Sequence, residues 1–212
     1  EKRFESRFKE LDARENYFLG ANSRVSASRD ACSFSAETYI GLQVKRYLGG
    51  DVSVSKERPG DWTYMPASDE LVNAHAEAVA LRTEASSELT KKYRSLYGAV
   101  LHAQKYRPEI AAAMNLCGTC LTFPTERMYR CLVRVLVYLG RTVKLGVTLS
   151  GRGEGATELV GYADANWCTT RSVSGFLFML ANGCISSAAR TQHCITLSTW
   201  EAELVALAEC AI

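Results

Sequence analysis

Two acidic residues near the C-terminal end stand where acids need a reason. Asp164 lies in Leu159-Val160-Gly161-Tyr162-Ala163-Asp164-Ala165-Asn166-Trp167, an otherwise strand-like run. Aspartate is depleted in strands because its short carboxylate competes for backbone hydrogen bonds. Glu203 lies in Leu197-Ser198-Thr199-Trp200-Glu201-Ala202-Glu203-Leu204-Val205, which reads as the start of a helix. Ser198 to Glu201 fits a capping box, with Glu201 reaching back to the helix start. Glu203, about 200° further round, cannot share that task. If the helix packs across the strand, Glu203 and Asp164 face each other and become candidate ligands for a divalent metal. Two carboxylates hold magnesium weakly, since the ion keeps several waters and usually needs substrate phosphates. The bland alternative is a surface glutamate and a strand-end aspartate.

The elements around the pair follow from spacing. Glu158 to Tyr162 and Ser172 to Leu180 read as strands, Asn182-Gly183 as a hairpin turn, and Cys184 to Ala188 as a third strand before the helix. Upstream, Ser150 to Ala156 is rich in glycine and lacks the Lys-Ser/Thr ending of a phosphate loop, so it reads as a linker. Before it the pattern is mainly helical. Phe4, Phe8 and Leu11 have helical spacing, and residues from Asn16 to Val25 suggest a strand. Tyr39 to Leu48 is a helix stopped by Gly49-Gly50, residues 51–70 are loop-like, and Ser86 to Ala103 is helical again. Pro108 suits the first turn of a further helix that reaches about Leu121.

The most legible helix is Thr125 to Leu139, opened by Pro124-Thr125 and closed by Gly140. Met128, Cys131, Leu132, Val135, Leu136 and Leu139 define one buried face. Arg127, Arg130 and Arg134 form a stripe roughly 140° away, which Arg141 extends if the last turn persists. Such a one-sign ridge is either a solvated face or a surface for nucleic-acid phosphates. Its lack of interleaved acids favours the second reading.

Composition bounds the alternatives. The chain has 212 residues, 47% hydrophobic and 23% charged, with a net charge of +2 too small to announce nucleic-acid binding by itself. No run of about 18 apolar residues calls for a membrane. The first residues lack an apolar signal core and an initiator Met, and both ends look cut, as in a piece of something longer. The eight cysteines are irregularly spaced, which suggests reduced thiols in an intracellular setting, cytoplasmic or nuclear. Cys117-x-x-Cys120 falls in a helix with no second pair at zinc-finger spacing. Core packing is the better reading of it than redox or metal chemistry. Trp62 and Trp167 read as core aromatics rather than base-stacking platforms.

The motif Gly161-Tyr162-Ala163-Asp164-Ala165-Asn166-Trp167, with Arg171 to Phe176, Ile185-Ser186-Ser187 and Leu197 to Glu209, resembles the ribonuclease H domain of copia-type retrotransposon polyproteins. More distantly it is similar to retroviral ribonuclease H. Tyr17 to Gly20, Tyr93 to Ala99, Arg107 to Ile110 and Arg134 to Leu139 resemble landmarks of the copia-type reverse transcriptase C-terminal region, in the family's order. The resemblance covers nearly the whole chain. It implies a mixed α/β fold: a helical, thumb-side reverse transcriptase region over 1–149, a linker over 150–157, and the opening half of a ribonuclease H-like domain over 158–212. It implies that Asp164 and Glu203 are magnesium ligands and catalytic residues, and that Arg127, Arg130, Arg134 and Arg141 track nucleic acid. The partners implied are an RNA–DNA hybrid and the rest of the Pol polyprotein, with no membrane. The sequence departs from the family at Asn166, where aspartate is common, at Trp200, usually small and polar, and in its single Arg190 before the last helix. The polymerase aspartates would lie upstream of Glu1 and the later ribonuclease H acids beyond Ile212. A catalytically inactive nucleic-acid-binding relic is the competing expectation.

Overall fold

The computed structural model describes residues 15–50, 52, 65–153, 156–168 and 171–211. The helical spacing at Phe4 to Leu11, Trp62 and most of the 51–64 loop lie outside the described residues. Two antiparallel sheets and a set of packed helices make up the mixed α/β architecture.

The first sheet has four strands in the order β1 (Glu15–Phe18), β2 (Ala21–Val25), β3 (Ala31–Ser35) and β4 (Gly146–Ser150). The single strand expected near Asn16 to Val25 is thus a hairpin. Leu19 and Gly20 both have positive φ, 51° and 86°, which matches the twist demanded of a two-residue connection. β4 arrives from far along the chain to pair with β3, Phe34 opposite Val147.

Between β3 and β4 run α1 (Glu37–Leu48), α2 (Asp69–Leu81), α3 (Ser87–Ala103), a 3-10 turn (Pro108–Ile110), α4 (Ala111–Thr119) and α5 (Glu126–Arg141). α5 carries the organising face. All six apolar residues assigned to it are buried, and Thr125 caps it by accepting from the Met128 amide at 3.1 Å. α1, α2, α3 and α4 pack on it, adding Ile40, Leu71, Leu96 and Met114 to one core. Gly140 does not end α5, which continues to Arg141. A Cβ at Gly140 would come within 2.6 Å of Val52 and 2.9 Å of Val44, so glycine there permits close approach of α1 rather than a stop.

The end of α5 is instead fixed by a buried cation. Arg107, 1% exposed, donates from its guanidinium to the Thr142 carbonyl (3.0 Å) and Thr142 Oγ1 (2.6 Å), and pairs with Glu109 at 2.5 Å. It also lies 5.3 Å from the centre of the Tyr138 ring. A fixed positive charge against the last carbonyls of a helix complements its dipole.

The second sheet is the expected meander: β5 (Val160–Asn166), β6 (Val173–Leu180) and β7 (Gly183–Thr191), followed by α6 (Thr199–Ala211). Its hairpin turn sits one residue earlier than Asn182-Gly183. Ala181 and Asn182 take the positive φ values, 52° and 58°, while Gly183 opens β7. Gly183 is needed where it stands because a Cβ there would strike the Thr148 carbonyl oxygen of β4. The described part of 150–157 is hydrogen-bonded at both ends, Gly151 N–H to the Asp30 carbonyl (2.9 Å) and Ala181 N–H to the Ala156 carbonyl (3.0 Å). α4 packs on β7, and α6 packs on β5 and β6.

Replacing Arg107 with Met removes hydrogen bonds donated by a charged group, and is expected to lower stability by about 1.5–3 kcal/mol. A urea unfolding midpoint unchanged by Arg107→Met would show that the cation does not hold the end of α5.

Candidate carboxylate pair and arginine face

The last helix begins as its sequence requires. Ser198 Oγ accepts from the Glu201 amide at 3.2 Å, and the Glu201 carboxylate accepts from the Leu197 amide at 2.7 Å. Glu201 is therefore engaged at the helix start and Glu203 is not. Gln192, wholly buried, was not singled out from sequence, yet it ties helix to sheet. Its Nε2 donates to Ser174 Oγ (3.0 Å) and to the Ala202 carbonyl (2.9 Å). Beside it, Ser172 Oγ and Thr196 Oγ1 are 2.9 Å apart, and Trp167 Nε1 donates to the Thr196 carbonyl at 3.2 Å. Trp167 thus pins the approach to α6, but at 40% exposure it is not the core aromatic expected.

Register decides which way the strand residues point. Ala165 pairs with Ser174 and Ala163 with Phe176, and this row is the one Gln192 joins to α6. Ala163 and Ala165 are half-buried on this row, and the helix that packs on β5 has Ala202 and Ala206 as its fully buried residues. Asp164 pairs with Gly175 and belongs to the alternate row, where it is exposed. β5 is one of the two outer strands of its sheet among the described residues. Glu203 is half-buried on the flank of α6. The structure therefore puts the two acids on packed elements. Among the described residues no hydrogen bond or ion pair joins them, and no group of three or more His, Cys, Asp or Glu could hold a metal ion.

The arginine stripe is placed differently from the expected solvent-facing ridge. The reason is α2, a helix within and beyond what read as loop. Ser68 caps it, accepting from Leu71 N–H at 3.3 Å, and its glutamates face α5. Arg127 makes two parallel bonds to Glu70, Nε to Oε1 at 2.7 Å and Nη2 to Oε2 at 2.8 Å, and a third to Glu77. The bidentate bond from Arg127 holds the Glu70 carboxyl below its usual range, opposed by partial burial, with weaker help from the charges of Arg130 and Arg134. Arg134 donates to Ser68 Oγ at 2.8 Å, and Arg141 donates to the Val52 carbonyl at 3.1 Å. Arg130 is exposed. The interleaving acids come from a neighbouring helix rather than from α5 itself.

The cysteine pair behaves as core. Cys117 and Cys120 are both fully buried, and Tyr93 donates to the Cys117 carbonyl at 2.8 Å. Burial pushes the Cys117 thiol up to about 12 and the Cys131 thiol up to about 11. Such thiols carry almost no thiolate near neutrality.

Comparison with known proteins adds lineage to this geometry. The chain is 36% identical over 122 residues to Secreted RxLR effector protein 161 of Plasmopara viticola, covering 55% of this chain and 84% of that protein. It is 32% identical over 179 residues to an uncharacterized mitochondrial protein of Arabidopsis thaliana, covering 80% of this chain and 73% of that one. It is also 31% identical over 117 residues to a retrovirus-related Pol polyprotein from the Arabidopsis transposon RE1, covering 53% of this chain and 8% of the polyprotein. No protein-family model matches the chain, and no solved structure matches it.

Two outcomes test this geometry. Because the Glu70 pKa is depressed in the folded state, its pairing stabilises above the unfolded carboxyl pKa and fades as pH falls through the folded value. Arg127→Ala should lose stability at neutral pH and converge on the parent in acid, and the Glu70 carboxyl followed by NMR should titrate higher. A stability gap between the two that persists in acid would refute the pairing. Alkylation at mildly alkaline pH, mapped by mass spectrometry, should label the exposed Cys168 and Cys194 and spare Cys117 and Cys131.

The chain belongs to one sequence family with the Plasmopara and Arabidopsis relatives, and its match to retrovirus-related Pol polyproteins of transposons makes it a sequence of retrotransposon origin.

Proposed function

We propose that the chain is a copia-type Pol module: reverse transcriptase C-terminal region over 1–149, linker over 150–157, and the opening half of a ribonuclease H-like domain over 158–212. The observation that carries this reading is the packing of α6 on the open outer strand β5, with Glu203 on one and Asp164 on the other. The retrotransposon origin supports it, although the chain spans less than a tenth of the Pol polyproteins it matches.

The acids suit magnesium in kind, since the ion takes hard oxygen ligands. In number they suffice only where substrate phosphate oxygens and water complete the shell. In that reading Asp164 and Glu203 hold the ion, which when bound supplies activation of water and stabilisation of the leaving oxygen in phosphodiester hydrolysis. Asp164 would offer its carboxylate from the exposed row of β5. Gln192 and the capping residues hold α6 so that Glu203 keeps its place on the flank. Arg130 is the member of the arginine stripe best placed to meet phosphates, with Arg127 committed to α2. The substrate is an RNA–DNA hybrid and the setting the rest of the Pol polyprotein.

A second reading, a nucleic-acid-binding relic without catalysis, is favoured by the same donor count: two acids without a third among the described residues. Incubation with a labelled RNA–DNA hybrid separates the two. Magnesium-dependent loss of the RNA strand, abolished in both Asp164→Asn and Glu203→Gln, is the expected result for the enzyme. Salt-sensitive binding without cleavage, weakened in Arg130→Ala, would establish the relic instead.

A further inference from the structure

Where the helical core meets the second sheet, the turn after α3 faces β7 across a cleft of about 300 Å³. Gln104, Lys105 and Pro108 form one wall, and Cys184 to Ser187 form the other. Backbone geometry fixes both. The Gln104 amide donates to the Leu101 carbonyl (3.1 Å) and the Arg107 amide to the Gln104 carbonyl (3.2 Å), so Gln104 and Lys105 sit in a closed turn. Opposite them β7 carries a bulge. Ser186 pairs with Phe178 and Cys184 with Met179, which leaves Ile185 as the extra residue. Bulges re-aim the side chains around them and gather beside functional sites.

The lining is chemically one-sided. Lys105 brings a positive charge, Gln104 an amide, and Ser186 and Ser187 hydroxyls, all of them able to donate. No carboxylate lines the cleft, and the nearest acid in sequence, Glu109, is committed to Arg107. The Cys184 thiol lies 3.6 Å from the Ser186 carbonyl, and burial pushes its pKa up against a hydrogen bond from Ser187, so it stays neutral. Among the described residues the side chains of Gln104, Lys105 and Ser186 make no hydrogen bond or ion pair. A cation flanked by donors, with no counter-charge, calls for an anion. Single donors converging from two walls suit a tetrahedral oxyanion, whereas a planar carboxylate is matched best by the arginine fork. Lysine serves phosphate as a point charge. The volume is at the lower end of the range for small-ligand sites. We propose that this cleft binds a phosphate group, with Lys105 supplying the charge and Gln104, Ser186 and Ser187 donating to its oxygens. It lies on β7, across the sheet from the strand that carries Asp164, and does not depend on the metal reading.

Acetylation of lysines in the full chain, mapped by mass spectrometry, tests this. Lys105 should react in the free protein and be protected by inorganic phosphate and by a nucleoside monophosphate, while the exposed Lys144 stays reactive. The nucleoside alone and acetate should not protect. In equilibrium dialysis, Lys105→Gln and Ser186→Asp should each weaken binding of the monophosphate at least about tenfold, and Lys105→Arg should keep most of it. Both positions are exposed, so far-UV circular dichroism should not change. Protection by a short oligonucleotide without terminal phosphates, reversed by salt, would identify the source as a nucleic-acid backbone. Protection by the monophosphate and not by the oligonucleotide would identify a free phosphate compound. Either source supports the site. Equal protection by acetate overturns the proposal, because the cleft would then be an unselective charge. So does an absence of protection, and so does a Lys105 that resists acetylation before any anion is added, which would mean that another segment already covers it.

Discussion

Burial of the apolar face of α5 is the constraint on which the N-terminal part of the structure depends. Four helices pack on it, and each is fixed in place by what α5 offers along its length. Its capped start sets the register of Met128 to Leu139 against the core. Gly140 lets α1 come close, and Arg107 closes the last turn by holding Thr142. Removing that cation would leave the Thr142 carbonyl to the Leu145 amide alone and take the charge from the end of the helix. The chain then leaves the held turn directly into β4, which pairs with β3 and abuts Gly183. The helical core and the second sheet are thus linked through this strand as well as through the packing of α4 on β7.

α5 also shows how a correct helical wheel can mislead about function. The stripe of Arg127, Arg130 and Arg134 was legible, and so was the absence of acids within it. The acids that matter belong to α2, whose buried face is Leu71, Ala74 and Ala78. Alanine contrasts weakly with the polar residues around it, and Val72 and Leu81 are exposed, so the amphipathic signal is faint. With α2 hidden, the arginines read as a free ridge. With α2 in place, Arg127 is half of an ion-paired seam between two helices. Pairs this exposed contribute little stability, but they settle which surface is available to a phosphate.

The second sheet was legible for the opposite reason. The apolar run that ends in Phe176 to Leu180, the turn at Asn182 and the capping box at Ser198 are local signals, and local signals agreed with the final topology. The turn is displaced by one residue, and a long-range contact explains it: Gly183 belongs to a strand because Thr148 lies against it, while the outer two strands run further than expected, to Asn166 and Thr191. What could not be read was Gln192. A glutamine after a strand carries no mark of burial in the sequence. Its value comes from two partners, Ser174 on one element and Ala202 on another, that only the folded chain brings together.

The two glutamates at the start of α6 divide the chemistry of this end of the molecule. Glu201 is engaged by the Leu197 amide, so its charge serves the cap. Glu203 lies between two surfaces, the sheet with Asp164 on its outer strand and the exposed stripe of Trp200, Leu204 and Leu207. The reach of Asp164 is fixed by strand register and that of Glu203 by the capped start of α6 and its packing on β5, so neither acid depends on a loop for its place.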